Sequence, residues 1–133
     1  MELGVIIIIF IIISIVIAFG IGANDETFSV IHGARVLSMR YILIIAVILA
    51  VLGALILGEG VSETVGKETL NIELNYAIVA TILLSTAIWL IISSSLGLPI
   101  STTHATIGAI IGMGLFLGGN DGLNWGTIIS MSI

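Results

Sequence analysis

The feature that most restricts this chain is a set of long runs without a charged side chain. Residues 5–21 are apolar apart from Ser14 and Gly20, and residues 41–58 and 76–98 are likewise free of charge. A helix of about 20 apolar residues crosses the hydrocarbon core of a bilayer. In hydrocarbon the backbone must satisfy its own hydrogen bonds, so these runs are expected to be helices. Composition agrees: hydrophobic residues make up 59% and charged residues 8%, too few charges to cover the surface of a soluble domain. The chain reads as an all-α, multi-pass integral protein of the cell membrane. With no Cys, thiolate and disulfide chemistry are excluded. The formal net charge of −5 leaves no basic footprint for nucleic acid.

Run 5–21 is expected to be the first span rather than a signal peptide, because the only early charge is Glu2 and no cleavage pattern of small residues follows. Two of the three basic residues, Arg35 and Arg40, lie with His32 between the first two spans. The positive-inside rule makes that connection cytoplasmic, with the N-terminus outside. The segment 59–75 carries Glu59, Glu63, Glu68 and Glu73 with the single Lys67, and is expected to be an outer loop.

Chemistry concentrates in two stretches. In Pro99-Ile100-Ser101-Thr102-Thr103-His104, Pro99 disfavours helical backbone at Leu98, while Ser101 or Thr102 is suited to cap a new helix. A helix start offers unpartnered N–H groups and the positive end of the dipole, which suit phosphate, sulfate or carboxylate, though the same pattern is also that of an ordinary N-cap. The second stretch, Gly22-Ala23-Asn24-Asp25-Glu26-Thr27, places two carboxylates and an amide directly after a span. Either these groups leave into water, or Asn24 and Asp25 face the protein interior, where a carboxylate is costly unless it binds a cation. Glu59 presents the same choice between a solvated acid and a cation ligand.

The remaining features read structurally. Thr81, Ser85, Thr86, Ser93, Ser94 and Ser95 are expected to bond back to carbonyls of their own helix. Run 107–117 is short for a crossing and rich in glycine, so a broken or re-entrant helix is expected with its break at Pro99-His104, and Gly108 and Gly112 are expected to allow close backbone approach. Gly118-Gly119-Asn120-Asp121-Gly122 is a turn, and Trp125 opens a further span as an interfacial anchor.

In order and spacing, Gly22-Ala23-Asn24-Asp25, Gly58-Glu59 and Gly97-Leu98-Pro99-Ile100-Ser101-Thr102-Thr103-His104 resemble the first repeat of the PiT family of inorganic phosphate transporters. The likeness runs through Gly108 to Asn124-Trp125, so residues 1–133 are expected to form one transmembrane unit of about three full spans, a re-entrant segment and the start of another span. The resemblance implies one half of an inverted-repeat transporter fold. It implies that Ser101, Thr102 and Thr103 face phosphate, with Asn24 and Asp25 contributing, and that Asn24, Asp25 and Glu59 hold the coupling cation, with Asp25 and Glu59 as ligands of Na+. His104 supports the site or packs. No cofactor beyond Na+ or H+ is implied, and the partners are phosphate, the cation, lipid, and a second repeat or further copy of the chain. The chain departs from the family in Glu26 and Phe28, and related members carry sulfate.

Physical reasoning points the same way. An anion moving against an inside-negative potential of 100 mV meets about 2.3 kcal/mol per charge, so uptake needs co-transported cations. Carboxylates beside an anion site repel the anion until a cation screens them, giving an order of cation first and anion second. Two other readings stand beside symport. One is a transport-incompetent half-length subunit with an assembly or regulatory role. The other is a hydrolase using Ser101 or Thr102 with His104 and Asp25, for which no oxyanion hole is apparent.

Overall fold

The computed structural model describes residues 3–63 and 68–132. It is helical, with α1 at Leu3–Asn24, α2 at Thr27–Gly33, α3 at Met39–Glu63, α4 at Tyr76–Ser95, α5 at Thr102–Gly118 and α6 at Trp125–Ser132. A 3-10 turn at Gly119–Gly122 separates α5 from α6. Among the described residues there is no strand, only an isolated antiparallel bridge between Leu70 and Leu123.

Helices α1 and α4 run parallel. Phe10 meets Tyr76 edge to face at 6.3 Å between ring centroids, Gly20 lies against Ala87 and Leu90, and Asn24 reaches Ser93 and Ser94. Each step along α1 is therefore a step in the same direction along α4. A Cβ on Gly20 would stand 3.2 Å from the Leu90 Cβ, so glycine is what lets the two backbones approach. Helix α5 returns along α4. Ile82 of α4, Ile107 and Ile110 of α5, Ile128 of α6, and Leu70 and Leu123 form the apolar core.

Parallel α1 and α4 require an intervening crossing, which α3 supplies. It packs against α2 and is otherwise largely exposed, Ile42 being its buried apolar residue. Exposed side chains such as Leu55 and Ile56 suit hydrocarbon, where apolar surface carries no penalty. Four segments are long and apolar enough to cross a membrane: Leu3–Asn24, Met39–Gly60, Tyr76–Ser95 and Thr102–Gly122. The fourth contains an α5 longer than the apolar run 107–117, because the helix begins at Thr102 and reaches 17 residues, about 26 Å.

Three details differ from the sequence reading. First, α4 ends at Ser95 rather than at Leu98, before Pro99 can act. Gly97 takes a left-handed φ of 68°, the Leu98 N–H donates to the Ser93 carbonyl at 2.9 Å, and the Gly97 N–H donates to that of Ser94 at 3.0 Å. This is a glycine-terminated helix end that satisfies the last carbonyls. Second, the expected outer loop carries structure at both of its ends. Helix α3 continues through Glu59 to Glu63, and residues 68–75 fold back so that Thr69 and Leu70 are buried. Residues 64–67, with Lys67, lie outside the described residues, as do Met1, Glu2 and Ile133. Third, Gly108 and Gly112 face open space, and close approach occurs instead at Gly114 and Gly122. A Cβ on Gly114 would collide with the Leu123 side chain, and one on Gly122 would lie 2.5 Å from the Gly114 carbonyl oxygen.

Candidate functional site

The two chemistry-bearing stretches meet at one end of the α1–α4 pair, and Asn24 joins them. As the last residue of α1 it is buried, and its amide has three partners. Its Nδ2 donates to the Ser93 Oγ at 3.2 Å and to the Ser94 Oγ at 3.3 Å, while its Oδ1 accepts from the Ile100 N–H at 3.1 Å. The last bond fixes the strand of chain between Pro99 and Ser101 against the end of α1. A small cleft of about 60 Å3 opens beside it, lined by Ala23, Asn24, Glu26, Ser94, Gly97, Leu98 and Pro99.

Just beyond this strand, Ser101 caps α5, as one of the two candidates from sequence was expected to do. Its backbone is extended and its Oγ accepts from the His104 N–H at 3.4 Å. The Ser101 carbonyl accepts from the Ala105 N–H at 3.1 Å. The N–H groups of Thr102 and Thr103 precede the first intrahelical acceptor and point out of the helix start, as the opening residues of any helix must. Thr102 is half-buried, and Ser101, Thr103 and His104 are exposed. His104 thus contributes a backbone donor to the cap while its ring stands at the surface.

Asn24 and Asp25, adjacent in sequence, divide between the two environments that the sequence left open. Asn24 turns inward. Asp25 is exposed, and its Oδ1 accepts from the Thr27 N–H at 2.9 Å, starting α2. Hydrogen bonds from the Thr27 side chain and backbone hold the Asp25 carboxyl below its ordinary value, against a smaller opposing effect of burial. At the N-cap of α2, Glu26 is exposed and makes no capping bond with its side chain. Phe28 is half-buried on the same short helix.

Glu59 is not brought to this end. It lies 20 positions along α3 from Met39, about 30 Å of helix. The chain then continues to Leu70 at the Tyr76 end of the molecule, so Glu59 and Asp25 stand toward opposite ends. Among the described residues no three His, Asp or Glu side chains cluster as a metal site.

Sequence reasoning missed Ser93 and Ser94. Both were read as bonding within their own helix, and Ser93 Oγ does donate to the Leu90 carbonyl at 3.0 Å. Its lone pairs remain available to the Asn24 amide, a use that only the α1–α4 pairing reveals. The signal in the sequence was the run of three consecutive serines immediately before a helix stop, which is unusual in an apolar span.

Comparison with known proteins gives this geometry its context. A family model described as the phosphate transporter family matches residues 21–133, from the end of α1 through α6. A Thermococcus kodakarensis protein named as a phosphate permease is 39% identical over 127 residues, covering 86% of this chain and 31% of its own length. A sodium-dependent phosphate transporter of Plasmodium falciparum is 34% identical over 125 residues, covering 87% of this chain and 19% of its own. The solved structure of a sodium-dependent phosphate transporter superposes with a TM-score of 0.83 at 34% identity, over 95% of this chain and 33% of that one. The chain therefore spans about a third or less of the length of these relatives. With the Asn24-Asp25 and Pro99-His104 stretches joined at one helix end, and with the match extending over most of its length, this chain belongs to the phosphate transporter family.

Proposed function

We propose that this chain is one repeat of a cation-coupled symporter of inorganic phosphate, working together with a second repeat or a partner chain, and that it is not an enzyme. The observation that carries this reading is the Asn24 amide, which binds the start of the Pro99-His104 stretch to the end of α1 beside Asp25. Through it, an acid able to attract a cation and a helix start able to attract an anion share one region.

In this reading the anion meets the first turn of α5, where the N–H groups and hydroxyls of Ser101, Thr102 and Thr103 and the helix dipole favour negative charge. Asp25 alone would repel it. A cation at Asp25 cancels that repulsion, so binding of cation precedes binding of phosphate, and the cation also offsets about 2.3 kcal/mol per charge per 100 mV of opposing potential. Relatives named as sodium-dependent favour Na+ over H+ as that cation and phosphate over sulfate as the substrate. Asn24 has all its polar atoms engaged within the chain, so its contribution is to position the strand before α5, with direct contact to ligand secondary. Glu59 acts at the opposite membrane face, as a separate cation site.

The test is radiolabelled phosphate uptake into proteoliposomes under an inward Na+ gradient, a proton gradient, or neither, with this chain alone and with a second repeat supplied. Uptake driven by Na+ and abolished by Asp25→Asn is the expected result. Phosphate binding that is indifferent to both Na+ and acidity would reject the coupling scheme.

A further inference from the structure

The chain's positive charge is concentrated in the connection between its first two spans. Between Glu26 and Glu59 there is no acidic residue, and within that stretch His32, Arg35 and Arg40 occur in nine positions of a chain whose net charge is −5. The structure shapes this stretch into an open surface hollow. His32, Gly33, Arg35, Leu37 and Ser38, all exposed, line about 480 Å3 at the connection from α2 to α3. The His32 ring borders it, with Nδ1 lying 3.4 Å from the Leu37 carbonyl oxygen.

Two details make the hollow more than a basic loop. Arg35 holds a left-handed φ of 56°, the one non-glycine residue with positive φ among those described. Glycine takes that conformation at less cost, so a guanidinium occupies a position that backbone preference alone would assign to another residue. Beside it, Val30 and Val36 are 64% and 70% exposed and Leu37 is 41% exposed, giving the turn an apolar rim. The segments able to cross the membrane end at Asn24 and resume at Met39, which sets the turn at the level of lipid headgroups. The positive-inside expectation assigns it to the cytoplasmic leaflet, where anionic lipid is found.

We propose that the turn between α2 and α3 binds the headgroup of an anionic phospholipid. The Arg35 guanidinium and Ser38 hydroxyl take the phosphodiester, and Val36 and Leu37 enter the acyl boundary. This site is separate from the Asn24 region and does not depend on the transport reading.

Native mass spectrometry of the detergent-purified protein, offered phosphatidylglycerol or phosphatidylcholine at equal concentration, tests it. Preferential retention of phosphatidylglycerol is expected. Arg35→Gly, which the left-handed backbone accommodates, should leave thermal stability unchanged or raised and lower that retention about fivefold, the effect of one basic charge at a membrane surface. Arg35→Lys should keep most of the retention, and Ser38→Ala should lower it less than Arg35→Gly. Equal retention of both lipids, or an unchanged lipid preference in Arg35→Gly, would overturn the proposal. Displacement of phosphatidylglycerol by millimolar inorganic phosphate would also overturn it, by showing that the hollow takes the free anion.

Discussion

The two ends of the helical core are closed by different physics. At the Tyr76 end, closure is apolar and backbone-to-backbone. Leu70 and Leu123 are buried against one another, the Asn71 N–H donates to the Gly122 carbonyl and the Asn124 N–H to that of Thr69, both at 3.0 Å. Gly114 and Gly122 touch where any side chain would collide. At the other end, closure rests on the amide of Asn24, two serine hydroxyls and one N–H. The bonds and contacts that close the first end are apolar or run backbone to backbone, and none of them involves a charged side chain. The second end is polar, borders exposed Asp25 and the start of α5, and is where a bound charge can alter the balance of hydrogen bonds. The difference sets a backbone interlock at one end against side-chain hydrogen bonds at the other.

The contrast is broken most severely at the apolar end. Gly122→Ala sets a methyl group against the Gly114 carbonyl, which belongs to the backbone and cannot rotate away. A loss of about 3 kcal/mol is expected, at the upper end of overpacking costs, read as a lowered unfolding midpoint in detergent. Gly108→Ala on the same helix meets nothing within 4 Å and should be neutral or stabilising by up to about 1 kcal/mol. If the two behave alike, the interlock does not set stability.

Asn24→Ala comes next. It leaves the Ile100 N–H and two hydroxyls without their partner, at an expected cost of about 1–3 kcal/mol. Phosphate uptake should fall further than stability does, because the strand before α5 loses its anchor. Uptake that follows stability alone would make the amide purely structural.

Ser101→Ala removes the cap of α5, expected at about 1 kcal/mol. Ser101→Asp retains a capping oxygen, so stability should recover while a carboxylate now stands where the anion would bind. Recovered stability with weakened phosphate binding separates the two roles of this residue, whereas restored binding would place the anion elsewhere.

The smallest effect concerns pH. The folded-state pKa of Asp25 lies below its unfolded value, so its contribution to stability is present above the unfolded value and is lost as pH falls through the folded one. Because the group is exposed, only a slight destabilisation is expected, below about pH 4, where an unperturbed Asp protonates. Thermal unfolding between pH 6 and pH 3 should show this decrement in the parent chain and lack it in Asp25→Asn.

The charge-free runs that became α1, α3 and α4 were legible because hydrocarbon imposes one answer on an apolar segment of that length. The Ser101 cap was legible because capping depends on a residue's own side chain and the next three N–H groups. Gly97 was overlooked in favour of Pro99, although both signals were local. A glycine with its carbonyls satisfied ends a helix actively, while proline only discourages its continuation. Residues 68–75 were read as an outer loop from their polarity, which could not show that Thr69 and Leu70 are drawn in by a partner more than fifty positions later, Leu123.

By itself the sequence determined that the protein is helical and lives in a membrane, and which residues carry charge or hydroxyls there, since these follow from composition and from interactions within a few residues. Tertiary structure alone decided that α1 and α4 run parallel, that Asn24 turns inward while Asp25 remains exposed, and that Glu59 stands away from both. Those outcomes depend on which helix faces approach one another. A helix that is apolar all round, as α1 is, carries no periodic mark of the face it will bury.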